Sequence, residues 1–387
     1  MKILLVHNYY QIPGGEDVVF TAERQLLLEH GHQVIEYTVH NDAVARMNRL
    51  KLAVNTIWSR EHRRELAQLI ASEKPDLAHF HNTFMLISPA AYYACRAAGV
   101  PVVQTLHNYR LLCPVATFFR DGQPCEECLG KFVAWPAVRH ACYRDSRAQS
   151  AGVTTMLAVH RGLGTFQRQV NHYIALTDFA RDKFGEAGFP VERISVKPNF
   201  LVNDPQPGPG ADRGQYMVFV GRIMAEKGVR TLIDAWQTLD IPLKVIGTGN
   251  LLDDLRQRAA HLPHVEFLGQ MPYAQTVEVL RGARALMFPS EWYEGLGMTI
   301  LEAYACAVPV VASRMGTMLN TVQDGRTGLH FNPRDPADLA AKARQLWDDP
   351  ALAATLGRQA RQVFEAEYTA ERNYDLLMDI YARAAGD

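Results

Sequence analysis

Several things are missing from this 387-residue sequence, and each absence excludes a class. No apolar run approaches the ~20 residues that span a bilayer. The opening Met1–Val6 has only four apolar residues in succession before His7 and Asn8, too short for the apolar region of an export signal. There is no charge surplus: 40 Lys and Arg stand against 41 Asp and Glu, a formal charge of −1. Wholesale nucleic-acid binding needs a basic excess, so no nucleic-acid partner is expected. No G-x-x-x-x-G-K-[ST] occurs, which removes P-loop nucleotidases. Gly247-Thr-Gly249-Asn-Leu-Leu252 begins like a dinucleotide fingerprint but carries Leu at the third glycine, and reads as a tight strand-to-helix turn. These exclusions leave a cytoplasmic globular protein, 48% apolar, of a length that suits two domains.

What is present is an alternation of short Val/Ile/Leu runs with amphipathic stretches. Strands are expected at Lys2–Val6, Gln33–Thr38, Leu77–Phe80, Pro101–Thr105, Tyr173–Leu176 and Ile194–Val196. A second set is expected at Tyr216–Val220, Leu243–Ile246, Val265–Leu268, Ala285–Phe288, Pro309–Ala312 and Leu329–Phe331. Apolar residues at successive positions mark strands covered on both faces. Glu16–His30 carries Val19, Ala22 and Leu26 at helical spacing. The alternation predicts α/β domains with parallel sheets. The pattern restarts after a Pro/Gly-rich linker, Asn203–Gly214, where Met217-Val-Phe-Val220 echoes Ile3-Leu-Leu-Val6. Two doubly wound domains in tandem follow, with a cleft between them. Ala351–Ala385 reads as helical throughout and as crossing back to the first domain.

The densest chemistry lies in Pro289-Ser-Glu-Trp-Tyr-Glu294-Gly295-Leu296-Gly297-Met-Thr-Ile-Leu-Glu302. It follows one apolar run and leads into an Ala-rich helix. Gly295 and Gly297 let backbone N–H groups reach a ligand, and the helix start favours phosphate. Glu302, within the helix, is placed to take the hydroxyls of a ribose. Glu294, in the loop, stands where a transferred group belongs. In Gly221-Arg222-Ile-Met-Ala-Glu-Lys227-Gly228 two cations follow the second domain's first strand, where they can neutralise a leaving diphosphate without a metal.

These residues resemble the donor domain of the family-4 retaining glycosyltransferases. The similarity runs through Arg222 and Lys227, Gly247-Thr-Gly249, Pro289-Ser290, the E-x7-E of Glu294 and Glu302, Val308–Ser313 and Asp324-Gly325…Gly328. The first half is similar through Gly14-Gly15, Gly31-His32, His79 and His81, Thr105-Leu-His107 and Pro198-Asn199. The resemblance implies the GT-B architecture: two Rossmann-like doubly wound domains facing across a cleft, with a C-terminal helix returning to the first. The expected domains are an acceptor domain, 1–200, with a Cys-rich insertion at 108–150 and the returning helix 368–387, and a donor domain, 201–367.

The resemblance also implies roles. Arg222 and Lys227 hold the diphosphate, Glu302 the ribose and Glu294 the transferred sugar, with Gly295, Leu296 and Gly297 forming the donor loop. His107 faces the sugar from the first domain, and Gly14 and Gly15 let phosphate and acceptor approach the backbone. The implied reaction is retaining, metal-independent transfer from a UDP- or GDP-linked sugar to a saccharide or lipid-linked saccharide, as in cell-envelope polysaccharide synthesis. No cofactor is required for catalysis. A sugar-nucleotide hydrolase or epimerase, or a non-catalytic binding module, would use the same pocket. Three places depart from the family pattern: Asn108 after His107, Phe200 after Asn199, and Thr317 with Asn320 in a loop that often carries Gly and Glu.

Cys113, Cys125, Cys128 and Cys142 form C-x11-C-x2-C-x13-C, a spacing that suits a structural zinc knuckle inside the insertion. The competing reading is four unconnected thiols. Cys95 and Cys306 read as core. His79 and His81 alternate and share a strand face, which suits active-site lining or core for His81 and packing for His79. A basic stretch with Arg139, His140, Arg144 and Arg147 reads as a solvated face, or as a peripheral contact with anionic lipid at the inner face of the membrane.

Overall fold

The structure, a computed structural model, describes residues 1–11, 14–208 and 214–386. The chain divides into two compact units. One comprises Met1–Phe118, Glu126–Asn199 and Asn373–Asp387, the other Phe119–Cys125 and Phe200–Arg372.

The first unit contains β1 (Lys2–Tyr9), β2 (Gln33–His40), β3 (Leu77–Phe80) and β4 (Val102–Leu106). After a short antiparallel hairpin, β5 (Phe119–Arg120) with β6 (Gln123–Pro124), come β7 (His172–Ala175) and β8 (Ile194–Val196). Its six-stranded sheet has the order β2-β1-β3-β4-β7-β8, parallel throughout. Ile3 and Leu5 point to one face of β1, where Phe20 and Leu27 of the helix Gly15–Glu29 cover them. Leu377, Ile380, Tyr381 and Ala384 complete that cluster. Their spacing is the apolar stripe of a helix, and they lie on Ala370–Gly386. The returning helix is thus part of the first unit's core.

The second unit repeats the design with β9 (Met217–Val220), β10 (Leu243–Ile246), β11 (Val265–Gly269), β12 (Leu286–Phe288), β13 (Val310–Ser313) and β14 (Gly328–Phe331). The order is β11-β10-β9-β12-β13-β14, again parallel. Val229, Leu232, Ile233 and Trp236 of the helix Val229–Trp236 are buried in its core. The Trp236 indole N–H donates to Ile241 O at 2.8 Å, so the largest core side chain leaves no orphan donor.

All the strands expected from the sequence are strands of these two sheets. The differences are local. β1 runs past the expected Val6, through His7 to Tyr9. The last helical stretch is two helices, Pro350–Glu367 and Ala370–Gly386. Between them Thr369 bridges to Leu201, and its hydroxyl accepts from Arg372 N at 3.3 Å, an N-cap that starts the second helix. The units part at Asn199/Phe200 and Arg372/Asn373, and the β5–β6 hairpin, expected within the first domain's insertion, is grouped with the second unit. Linker residues 209–213 lie outside the described residues. No helix among the described residues is long and apolar enough to cross a membrane.

Candidate active site

In an open parallel sheet, ligands bind at the carboxyl ends of the strands where the strand order reverses. In the second unit that point lies between β9 and β12, because β10 and β11 extend to one side of β9 and β12 to β14 to the other. The turns leaving β9 and β12 are the two segments singled out by the sequence. They are stitched together by the backbone: Glu291 N donates to Glu226 O at 2.8 Å. On the other side Ile223 N donates to Thr248 O at 2.8 Å, joining the turn after β10. Two glycines are required by this packing. Gly228 has φ +66°, and a Cβ there would lie 1.8 Å from Pro289 O. Gly247 has φ +136°, and its Cβ would lie 1.9 Å from Gly221 O. Gly247 therefore serves a tight turn, as its local sequence suggests.

Lys227 and Glu294 meet across this seam. The Lys227 ammonium is 2.6 Å from Glu294 Oε1, and the Ser290 hydroxyl donates to the same oxygen at 2.5 Å. Glu294 is 5% exposed. Burial pushes its carboxyl up, but Lys227 and the hydrogen bonds outweigh burial and hold it below the ordinary value. The ammonium also lies over the faces of Phe288 and Trp292, at 5.8 and 5.4 Å from the ring centroids. Arg222, one turn back, is exposed and makes no ion pair among the described residues. Gly297 caps the helix Met298–Ala305, with Gly295 and Leu296 just before it, and Glu302 is the fifth helical residue. Glu302 is half-buried and its carboxyl has no hydrogen-bond partner among the described residues; burial pushes it up to about 7. The arrangement offers an unpaired cation, a cation balanced by a carboxylate, and a second carboxylate awaiting a donor. Cations of this kind suit anionic oxygens, and the carboxylates suit hydroxyl donors.

In the first unit the reversal lies between β1 and β3. Gly14 N donates to Asp17 Oδ2 at 2.7 Å and starts the helix Gly15–Glu29. Nothing lies within 4 Å of where a Cβ of Gly14 or Gly15 would sit, so no contact among the described residues demands glycine there. Residues 12 and 13 are outside the described set. His107 follows β4, and its Nε2 is 3.0 Å from His81 Nδ1. A cavity of about 490 Å³, mouth included, is lined by His81, Tyr92, His107, Asn108, Arg110 and Met156 among others.

Two features here went unread in the sequence. Asn108, where the family often has Asp, donates through Nδ2 to Glu16 Oε2 at 2.9 Å, so Glu16 supplies a carboxyl at that place. Burial, with the neighbouring Asp17 charge, pushes Glu16 up to about 8. The second is a fully buried ion pair, Lys197 Nζ to Glu23 Oε1 at 2.5 Å. The local sequence gives no sign of it, because the partners are on different elements and each reads as an ordinary surface residue.

Among the described residues one group of potential metal ligands comes within 4.8 Å, namely Glu23, His79 and His81. A buried cation is already there: the Lys197 ammonium lies 2.5 Å from Glu23 Oε1, and the His79 nitrogens face Tyr381 Oη and Thr105 Oγ1 at 2.8 and 2.7 Å. Cys113, Cys128 and Cys142, the first unit's share of the expected zinc knuckle, form no such group. Cys128 and Cys142 pack with Ala134 and Ala137, and burial pushes the Cys113 thiol up. Cys125 belongs to the second unit. Cys95 and Cys306 are fully buried core residues.

Comparison with known proteins gives the family. A family model described as "Glycosyl transferase 4-like domain" matches residues 14–199, and one described as "Glycosyl transferases group 1" matches 204–363. The chain belongs to the family-4 glycosyltransferases. It is 34% identical over 157 residues to an uncharacterized glycosyltransferase, MJ1178, of Methanocaldococcus jannaschii, covering 40% of this chain and 44% of that protein. It is 27% identical over 300 residues to the alpha-D-kanosaminyltransferase of Streptomyces kanamyceticus, 75% of this chain and 72% of that one. The chain spans about two fifths of the length of several curated relatives it matches. Among solved structures, Alr3699/HepE of Anabaena matches over 99% of this chain and 100% of its own, with a TM-score of 0.69 at 19% identity, a likeness of fold. The fold of this glycosyltransferase is thus the GT-B type.

The raised Glu302 value gives a testable sign. The folded state keeps a proton on Glu302 between the ordinary value of 4.5 and about 7, so stability is lost as pH rises through that interval. Glu302→Gln removes the loss. The melting temperature of the variant, relative to wild type, should climb from pH 4.5 to 7 and then level off; a difference that stays flat with pH would contradict the burial argument.

Proposed function

We propose that this glycosyltransferase moves a sugar from a nucleotide-diphosphate sugar to a hydroxyl of a saccharide or lipid-linked saccharide, with retention at the anomeric carbon. The observation that carries the reading is the Lys227–Glu294 pair at the second unit's switch point, flanked by unpaired Arg222 and Glu302. Arg222 and Lys227 take the diphosphate, Glu302 the ribose hydroxyls, and Glu294 the hydroxyls of the transferred sugar. Glu294 stays anionic because Lys227 stabilises its charge, so it accepts hydrogen bonds from the sugar throughout the reaction.

The bond from the anomeric carbon to the β-phosphate oxygen breaks as the acceptor oxygen bonds to the same face. The acceptor proton passes to the departing phosphate. Negative charge grows on that phosphate, where fixed cations at Arg222 and Lys227 do the stabilising that a metal does elsewhere. UDP or GDP carries the diphosphate and ribose this site needs; the Alr3699/HepE structures hold UDP and UDP-glucose, which favours uridine. The cavity beside His107 is the place for the acceptor.

A lipid-linked acceptor requires a membrane contact. Phe132, Val133 and Trp135 are exposed, with Lys131 and Arg139 beside them in sequence, a composition suited to an anionic interface. Sedimentation with phosphatidylglycerol vesicles should carry down wild type and leave Trp135→Glu in solution; equal behaviour of the two would remove this contact.

The donor assignment is tested by melting curves with UDP and GDP. A nucleotide at 100 times its Kd stabilises the folded state by about 2.7 kcal/mol. The shift should appear with one of them in wild type and vanish in Arg222→Ala. A shift retained in full by the variant would separate Arg222 from the diphosphate.

A further inference from the structure

The fully buried polar cluster of the first unit contains more groups than packing needs, and its arrangement has a direction. Lys197 Nζ sits 2.5 Å from Glu23 Oε1 and donates to Asn373 Oδ1 at 3.0 Å; all three side chains are inaccessible to water. The other carboxylate oxygen, Glu23 Oε2, is buried and accepts no hydrogen bond of good geometry. The same holds for His81 Nε2, and the two atoms face each other at 3.5 Å. From the opposite side of the His81 ring, Nδ1 meets His107 Nε2 at 3.0 Å. The line therefore runs Lys197, Glu23, His81, His107, ending on a half-buried ring that lines the cavity.

We infer that Glu23, fixed by Lys197, acts through His81 to hold His107 in its Nε2–H form, so that the bare His107 Nδ1 accepts a hydrogen bond from a substrate hydroxyl. The role toward substrate rests on the transferase reading above; the tautomer does not.

The number of protons on the two rings decides between the tautomers. Burial, then the neighbouring histidines, keep the His81 imidazole well below its ordinary value, and burial, then His7, does the same for His107. Each ring thus carries one proton at neutral pH. Two arrangements satisfy the bond between the rings. If His81 donates from Nδ1, its Nε2 lone pair faces the Glu23 carboxylate, leaving two buried acceptors opposed with no proton between them. An unsatisfied buried polar group costs about 1–3 kcal/mol, and more when charged. If the His81 proton is on Nε2, it points at Glu23 Oε2, and Nδ1 accepts from His107 Nε2–H. The second arrangement sets a donor against an acceptor at both contacts. His79 Nδ1 lies 3.7 Å from the same oxygen, but both its nitrogens have closer partners, Tyr381 Oη at 2.8 Å and Thr105 Oγ1 at 2.7 Å. Glu23 and His81 are positioning residues here, as an acid that orients a histidine is in hydrolytic triads.

The test is a long-range ¹H–¹⁵N correlation spectrum of the ¹⁵N-histidine-labelled full chain without substrate, with His107 assigned by loss of its signals in His107→Asn. The expected result is a protonated Nε2 and an unprotonated Nδ1 for His107. A protonated Nδ1 overturns the inference whatever the variants do. In Glu23→Gln the amide can present N–H to His81 Nε2, so the His107 tautomer should change or become mixed. The variant's kcat for transfer should fall about tenfold or more with donor KM unchanged. A variant that keeps the wild-type tautomer while losing activity would also overturn it. If Glu23→Gln fails to fold, the wild-type spectrum still decides. Should the tautomer be as inferred but no nucleotide sugar be turned over, the transferase reading fails and the positioning network stands.

Discussion

In each unit the first strand lies inside the sheet, with later strands added on both sides of it. Everything chemical in this protein follows from that placement. A parallel sheet leaves its loops at the carboxyl ends of the strands, and the reversal of strand order opens two neighbouring loops away from each other. In the second unit those loops carry Arg222 and Lys227 on one side and Glu294 and Glu302 on the other. In the first they carry the Gly14 turn and the loop after His81. The sequence repeats its strand-glycine-helix opening near residue 217 because the same physical device is built twice.

Charge burial is the second thread. Lys227–Glu294 and Lys197–Glu23 both take a cation and an anion out of water, at a desolvation cost that a hydrophobic pair would not incur. Neither pair is a sensible way to gain stability alone. The first sits at the second unit's switch point, where Lys227 holds Glu294 ionised; under the proposed function the same ammonium faces the diphosphate. The second ends on histidines that lead to His107. In both, charge is held at a defined atom inside the fold, which a packed apolar core cannot do.

The sequence was most legible where periodicity and spacing are local. Strands such as Leu77–Phe80, Ile194–Val196 and Leu243–Ile246 follow from apolar runs between polar stretches, and their observed limits are the expected ones. The E-x7-E spacing and the Arg222/Lys227 turn could be read because each lies within one loop and its helix. What could not be read depends on distant pairings. Lys197 and Glu23 are 174 residues apart, and Glu16 with Asn108 are 92 apart. The cysteine spacing is silent for a related reason: intervals along the chain do not fix where an irregular insertion folds, and Cys128 and Cys142 pack beside Ala134 and Ala137. The break at Tyr368 and Thr369 was hidden because both flanking segments favour helix and only the Leu201 bridge interrupts them.

The central claim is that the donor nucleotide is held at the second unit's switch point. Hydrogen–deuterium exchange of the full chain with and without UDP addresses it directly. The account predicts slowed exchange over 221–229 and 289–303, the turns after β9 and β12 and the helices they enter. Protection absent from both segments and confined to the turn around Gly14 and its helix would contradict it.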